Sequence, residues 1–317
     1  LDITTSPDYV ELKLSPGSKT TTKVRFRNNL NSSTKFNLAV KNLGTTETGQ
    51  MTITDPVPND GSINWIKLSQ TEVIAPAKEW IEVNLEIEIP KEAAYGYYFA
   101  VVISPQDPNI STQDNTTKLV GSVAIPILLI ADQPGAKFEG NITKFTAIPD
   151  WTEYLPVNLN VEFINQGNVH IRPQGSVFIQ DWKGKNIATL DINHTGGNIL
   201  PNSSRQFSVL WNDSFVSYEP KMIDGKPVVN SEGQPEKELK WHFDKLLDLR
   251  IGKYTAKVIM IISDGQRDIP FEEVVSFWVF PWKIVLGVIA IAIFASMGII
   301  GSLKQILRII KKIFQRK

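Results

Sequence analysis

The residues best placed to do chemistry lie in Asn165–Gly175, NQGNVHIRPQG, where two amides flank a glycine and His170 and Arg172 follow two positions apart. A histidine beside an arginine can carry protons next to an anion clamp, provided a base, a nucleophile and an orienting group converge on it. The stretch itself holds no acidic residue and no second histidine. The other two histidines, His194 and His242, stand apart and show no metal-ligand spacing. No residue is Cys, which excludes thiol catalysis, cysteine-held metals and disulfide staples. Nucleophile-elbow, phosphate-loop and metal motifs are lacking too. The reading is a non-enzyme with no catalytic, cofactor-binding or metal residues. A carbohydrate-active enzyme is the less favoured alternative, because two carboxylates facing each other from loops would leave no linear signature.

The elements around the stretch explain it more simply. Before it, VNLNVEF alternates Val157, Leu159, Val161 and Phe163 with polar partners; after it, SVFIQDW resumes as an extended run. Two period-2 segments joined by Asn, Gly and Pro predict two strands and a structured connection. His170 and Arg172 then share one strand face.

Strand patterns fill the rest of the chain up to Phe280. WIEVNLEIEIP, Trp80–Pro90, puts Ile81, Val83, Leu85, Ile87 and Ile89 on one face and three glutamates with Asn84 on the other. YVELKL, TTKVRFRN, KFNLAV, YYFAVVI and VAIPILLI precede a Pro-Gly signal at DQPGA, and a second series starts near Phe138. The fold class is therefore all-β: two tandem immunoglobulin-like sandwiches, residues 1–134 and 135–281. An insertion at about 212–251 interrupts the second. Its turns fall at Asp224-Gly225 and Glu232-Gly233, and Leu239, Phe243, Leu246, Leu247 and Arg250 fit a helical face.

The net charge of zero hides an asymmetry. The first 282 residues carry 26 basic against 33 acidic side chains, and the last 35 carry seven basic and no acidic ones. An acidic body argues against a nucleic-acid partner. The basic end follows Ile284–Leu303, twenty residues without a charge, long enough for a helix to cross about 30 Å of hydrocarbon. Residues 282–303 form the expected transmembrane helix and 304–317 a basic cytoplasmic tail. Trp278 and Trp282 serve as interface anchors on one side, and Lys304, Arg308, Lys311 and Lys312 contact lipid headgroups on the other. In the tail, Leu303, Ile306, Ile310, Ile313 and Phe314 make an apolar stripe suited to the inner leaflet. The start at Leu1 without Met fits a secretory signal already removed, which places both sandwiches outside the cell membrane. Seven Asn-x-Ser/Thr sequons, Asn193 among them, would accept glycans in a glycosylating host.

LSPGSKTTTKVRFRNN with the segment from WIKLSQ to YYFAVVI, then FINQGNVHIRPQGSVFIQDWKGKNIATLDIN, ILPNSSRQFSVLW and FWVFPWKI, resembles the WxL-interacting proteins over nearly the whole chain. That resemblance implies a first domain bound to peptidoglycan, a second in contact with a host or partner, and work beside surface proteins carrying a WxL motif. It transfers no site residue. The function expected is a membrane-anchored surface scaffold contacting cell wall or a surface protein; an ectodomain subunit of a membrane complex is the alternative.

One pattern points to a contact surface. In GYYFAVVIS, Tyr98, Ala100 and Val102 can face the core, yet Tyr97, Phe99, Val101 and Ile103 on the opposite face are equally apolar. A strand with one wet face should alternate. VAIPILLI and VVSFWVF repeat the doubled pattern, so the sheet holding the last two strands of each domain should be covered on its outer face. The expected cover is one of the chain's own connections or, failing that, a protein partner resting on Tyr97, Phe99, Val101 and Ile103.

Overall fold

A computed structural model describes residues 2–46, 49–54, 61–106, 109–111, 117–119 and 121–314. The chain is mostly β, as two immunoglobulin-type sandwiches followed by one C-terminal helix. In chain order the first sandwich contains β1 (Ile3–Ser6), β2 (Val10–Leu14), β3 (Lys19–Asn28), β4 (Thr34–Thr45), β5 (Met51–Thr54), β6 (Ile66–Leu68), β7 (Glu72–Ala75), β8 (Trp80–Glu88), β9 (Tyr95–Pro105), β10 (Asn109–Ser111), β11 (Thr117–Leu119) and β12 (Val123–Ala131). One sheet runs β1-β3-β8-β6, the other β2-β12-β9-β4-β5 with β7 also on β4. The alternation in β8 resolves as the sequence predicts: Val83, Leu85 and Ile87 are fully buried. On the wet face Lys19 meets Glu86 at 2.5 Å and Lys23 meets Glu82 at 2.6 Å across β3 and β8. Such exposed, solvent-screened pairs contribute little, so the Val-Leu-Ile face holds this sheet and the charges keep its other face in water.

The second sandwich contains β13 (Gly140–Ile148), β14 (Trp151–Thr152), β15 (Val157–Asn165), β16 (Gln174–Gln180), β17 (Asn186–Ile192), β18 (Ser204–Trp211), then the insertion strands β19 (Val216–Pro220), β20 (Met222–Ile223), β21 (Lys226–Pro227) and β22 (Lys237–Trp241), and finally β23 (Gly252–Ser263) and β24 (Asp268–Val279). Sheets β13-β15-β18 and β14-β24-β23-β16-β17 enclose a separate core. Trp211, Tyr254 and Phe277 form its aromatic centre, with ring centroids 5.1 to 5.9 Å apart.

The insertion differs from its predicted helical face. Leu239 and Trp241 lie in β22, paired with β19, and only a 3-10 turn at Phe243–Lys245 follows. Period-2 pairing with a partner strand outweighs a helical spacing too short to nucleate on its own. The predicted Asp224-Gly225 turn is present, with φ of 51° and 75°, the left-handed pair a tight hairpin needs.

Helix α1 (Trp282–Phe314) is long and apolar enough to cross a membrane between Trp282 and Lys304, and only its first turn, at Lys283 and Ile284, touches the second sandwich among the described residues. Its backbone continues to Phe314. The side chains of Ile306, Arg308, Ile310, Lys311, Lys312, Ile313 and Phe314, the basic cluster and stripe of the tail, lie outside the described residues.

Candidate functional site

The two sandwiches meet along the outer face of the β2-β12-β9-β4 sheet, and this joint explains the doubled apolar pattern. Ala100 of β9, Leu128 of β12 and Leu43 of β4 are buried there against Leu200 of the second sandwich, with Tyr98, Val102, Tyr9 and Met51 packed around them. The assignment of faces is corrected accordingly. Phe99, Val101 and Ile103 are fully buried in the first core, and half-buried Tyr97 packs beside them with its ring 4.6 Å from Trp65. Phe99, Val101 and Ile103 therefore present no surface to a partner. The cover over the opposite set is internal, as expected, but the neighbouring sandwich supplies it in place of a loop. In β24 the expected cover is missing: Val274 and Trp278 are exposed on the outer face while Phe277 and Val279 fill the core.

NQGNVHIRPQG builds the polar half of this joint. Asn165, at the end of β15, is fully buried; its Nδ2 donates to the carbonyls of Val169 at 2.8 Å and Ile199 at 2.9 Å, and its Oδ1 accepts from Gly167 N–H. Gly167 is required by close approach, since a Cβ there would stand 2.0 Å from the carbonyl oxygen of Lys137. Asn168 fastens the linker: its Oδ1 accepts from Lys137 N–H at 2.7 Å, its Nδ2 donates to Gly135 O at 3.0 Å, and its own carbonyl accepts from Gly96 N–H.

His170 and Arg172 occupy irregular chain joined to the fold by a single bridge, Ile171 to Ile199, and not the regular strand their spacing suggested. Both reach the same acid. His170 Nε2 lies 3.2 Å from Glu11 Oε1, Arg172 bonds the other carboxylate oxygen, and Arg172 Nε donates to Asn198 Oδ1 at 3.1 Å. The guanidinium also lies over the Tyr9 ring, and Tyr98 meets the His170 ring edge-on at 5.7 Å. Glu11 belongs to β2, more than 150 residues upstream. Nothing local in the sequence signals that pairing.

The electrostatics suit a structural clasp. Burial pushes the Glu11 carboxyl up, but the His170 hydrogen bond and the Arg172 charge outweigh it and hold it below the usual carboxylate range. Burial pushes His170 below the ordinary histidine value, against the pull of Glu11. An ionised carboxylate needs donors, so the neutral imidazole carries its proton on Nε2. Nδ1 then faces the interior with no partner among the described residues. Burial also pushes the Tyr98 phenol well above its usual value. The cluster has an acid, a neutral base and a cation, but the base is 3% exposed and no nucleophile faces it among the described residues. It can hold two surfaces together; it has no route to substrate.

The remaining sequence-derived residues separate by position. Trp278 and Trp282 are exposed where β24 leads into α1, Trp278 in register with Trp151, and Lys304 lies exposed at the far end of the span. Asn193 is buried, its Nδ2 spent on the carbonyls of Pro173 and Gly197, which removes it from the glycan acceptors. No group of three or more potential metal ligands occurs among the described residues.

No family model and no curated protein matches the chain. Among solved structures it is similar to the class 5 fimbriae chaperone CfaA, at 12% identity and TM-score 0.40, covering 86% of this chain and 98% of that one. The CsuC–CsuE chaperone–tip adhesion subunit pre-assembly complex from the archaic chaperone-usher Csu pili of Acinetobacter baumannii aligns at 10% identity and TM-score 0.38, covering 85% of this chain and 97% of that one. The YadV chaperone aligns at 15% identity and TM-score 0.36, covering 87% and 100%. The resemblance to WxL-interacting proteins is corrected: no family model matches the chain and the similar solved structures are fimbrial chaperones, so the peptidoglycan and host-contact roles implied by that resemblance are left without support. The turn signatures behind that resemblance, Pro-Gly before a strand and Asn-x-Gly-Asn after one, are set by backbone geometry that immunoglobulin-like sandwiches share.

Proposed function

We propose that this chain is a membrane-held binding protein that takes an extended segment of another surface protein along β4 of its first domain. One observation carries the reading. β4 pairs with β7 over Thr34–Asn37 and with β5 over Asn42–Thr45. Between those pairings it runs beside an open cleft of about 480 Å³ lined by Leu38, Val40, Ile63, Ile66 and Leu68. Leu38 N–H points away from β9 and donates to Thr71 O at 2.7 Å. By the two-residue period, Val40 directs its backbone N–H and C=O the same way, into the cleft. Among the described residues Val40 is paired only with Val101 of β9, and backbone turned toward an apolar trough is the geometry of strand addition, in which main-chain bonds give affinity and pockets give selectivity.

Residues 1–134 and 135–281 are the two domains in this reading, and 212–251 is an insertion in the second. The helix at 282–303 anchors them, and the basic tail, 304–317, stays on the cytoplasmic side, leaving both domains outside. Bilayer lipids and a surface protein are the partners. The test places a photo-crosslinking residue at Lys67, which lines the cleft, and at Thr21 on the charged outer face, in the full chain in native envelopes. Adducts to a defined surface protein should form from position 67 and not from 21, and Val40→Pro, which removes the inward N–H without disturbing the β9 pairing, should abolish them. Identical adducts from both positions, or adducts indifferent to Val40→Pro in a folded protein, would reject the reading.

A further inference from the structure

The insertion ends in a turn whose polarity is inverted. Its polar groups are tied back to the domain: Lys245 Nζ donates to Asp213 Oδ1 at 2.7 Å, Arg250 donates to the carbonyl and carboxylate of the same Asp213, and His242 contacts both Ser217 and Glu219. Its backbone is engaged as well, His242 N–H on Phe215 O and Phe215 N–H on Asp248 O. The apolar side chains are the ones left outside. Phe243 is 77% exposed, Leu246 61% and Leu247 98%. A loop held this firmly presents those three residues as a built surface, since free chain would fold them in.

The location names what covers them. Phe215 packs edge-on against Trp241 at 5.3 Å and Phe243 at 5.9 Å. The same Phe215, with Tyr154 and Val216, forms a small core against which Ile284 of α1 packs. Lys283 Nζ pairs with Glu153 at 2.9 Å on the same flank. The exposed turn is thus joined through one aromatic ring to the first turn of the membrane-spanning segment. Exposed Trp282 and Trp278 stand on that end of the domain too, and amphipathic rings there match the headgroup level of a bilayer.

We infer that the turn carrying Phe243, Leu246 and Leu247 dips into the interfacial layer of the bilayer that α1 crosses, giving the second domain a membrane contact beside its anchor. This rests on the membrane-held reading of α1. Apolar side chains on a rigid support gain by leaving water for the headgroup–acyl boundary, and a helix already in the bilayer removes the cost of bringing them there.

The chain has no cysteine, so single labels are clean. Full-length Leu247→Cys, Ile293→Cys and Ser33→Cys variants, each carrying an environment-sensitive fluorophore, are reconstituted into vesicles of phosphatidylcholine and phosphatidylglycerol. Spin-labelled lipids report depth and aqueous iodide reports exposure. The inference expects blue-shifted emission at position 247, quenched more by lipids labelled near the headgroup than by lipids labelled deep in the chain. Position 293 should be quenched by the deep label and position 33 only by iodide. If position 247 answers to iodide alone while 293 is deep, the membrane contact is wrong and the anchor stands. Blue-shifted emission at 247 without lipid quenching means a protein contact covers the turn and also overturns the inference. A position 293 that no lipid quenches removes the spanning helix itself.

Discussion

Glu11→Ala is the sharpest perturbation of the joint, because one carboxylate serves both His170 and Arg172. His170 is 3% exposed, so truncation strands its Nε2–H in the interior, a loss of about 1–3 kcal/mol. Arg172 keeps its bond to Asn198 and reaches solvent, so its part stays within about 0–1 kcal/mol. Together the change is about 1–4 kcal/mol, or roughly 5- to 900-fold toward a separated joint. Neither core contains Glu11, so each sandwich should keep its fold while their mutual orientation loosens. Paired nitroxide labels at Ser33→Cys and Lys183→Cys in the cysteine-free chain read this directly by pulsed dipolar spectroscopy. The parent should give a narrow distance distribution and Glu11→Ala a broad one. Glu11→Gln, which keeps an acceptor for His170, should broaden far less. An unchanged distribution in Glu11→Ala would show that the Leu200 seam alone holds the joint, and unfolding of the first sandwich would show that Glu11 belongs to its core.

Acidification should act in the same direction. His170 titrates below its ordinary value in the folded joint, so the folded state binds fewer protons and stability falls as pH drops below about 6.5, the unfolded histidine value. Glu11, also held low, adds a second loss below about 4.5. The label distribution should therefore broaden between neutral pH and pH 5, and His170→Gln should blunt that first step. Phe99→Asp places a carboxylate in the first core and should cost at least about 4 kcal/mol, read as loss of the cooperative urea transition of that sandwich. Gly167→Ala sets a Cβ against the Lys137 carbonyl, which cannot turn aside, and should broaden the joint to a similar degree as Glu11→Ala.

The parts legible in the sequence are those encoded by short-range periodicity. Trp80–Pro90 alternates because one face meets the core and the other meets lysines, and that pattern survives into β8 unchanged. The twenty uncharged residues after Lys283 are likewise a local signal. The joint was half legible. Doubled apolarity in β9 and β12 marked a covered face, but which of two apolar sets lay outside depends on the strand's rotation, and both sets satisfy the same alternation. The partner of His170 and Arg172 was illegible, because Glu11 sits in an ordinary amphipathic strand that only the tertiary fold brings to them. The insertion misled for a related reason: Leu239, Phe243 and Leu246 share a helical spacing by chance, while Leu239 lies in a strand dictated by Val216–Pro220 across the hairpin and Phe243 and Leu246 in the turn after it.

The second sandwich is anchored at both ends by side chains its own sheets do not need. β15 runs from Val157, beside the membrane-proximal cluster, to Asn165 at the joint, nine residues that span about 26 Å at strand rise. At one end Asn165, Asn168, His170 and Arg172 engage the first sandwich and the linker; at the other, Tyr154, Phe215 and Glu153 engage the first turn of α1. A simple tether would require neither set, since a flexible linker and a helix hold a domain at a surface equally well. On the membrane-held reading proposed above, clasping both junctions fixes the orientation of the first sandwich relative to the bilayer. The β4 cleft is thereby held at a set height and direction, which lowers the entropy lost when a partner lying along the same surface engages it.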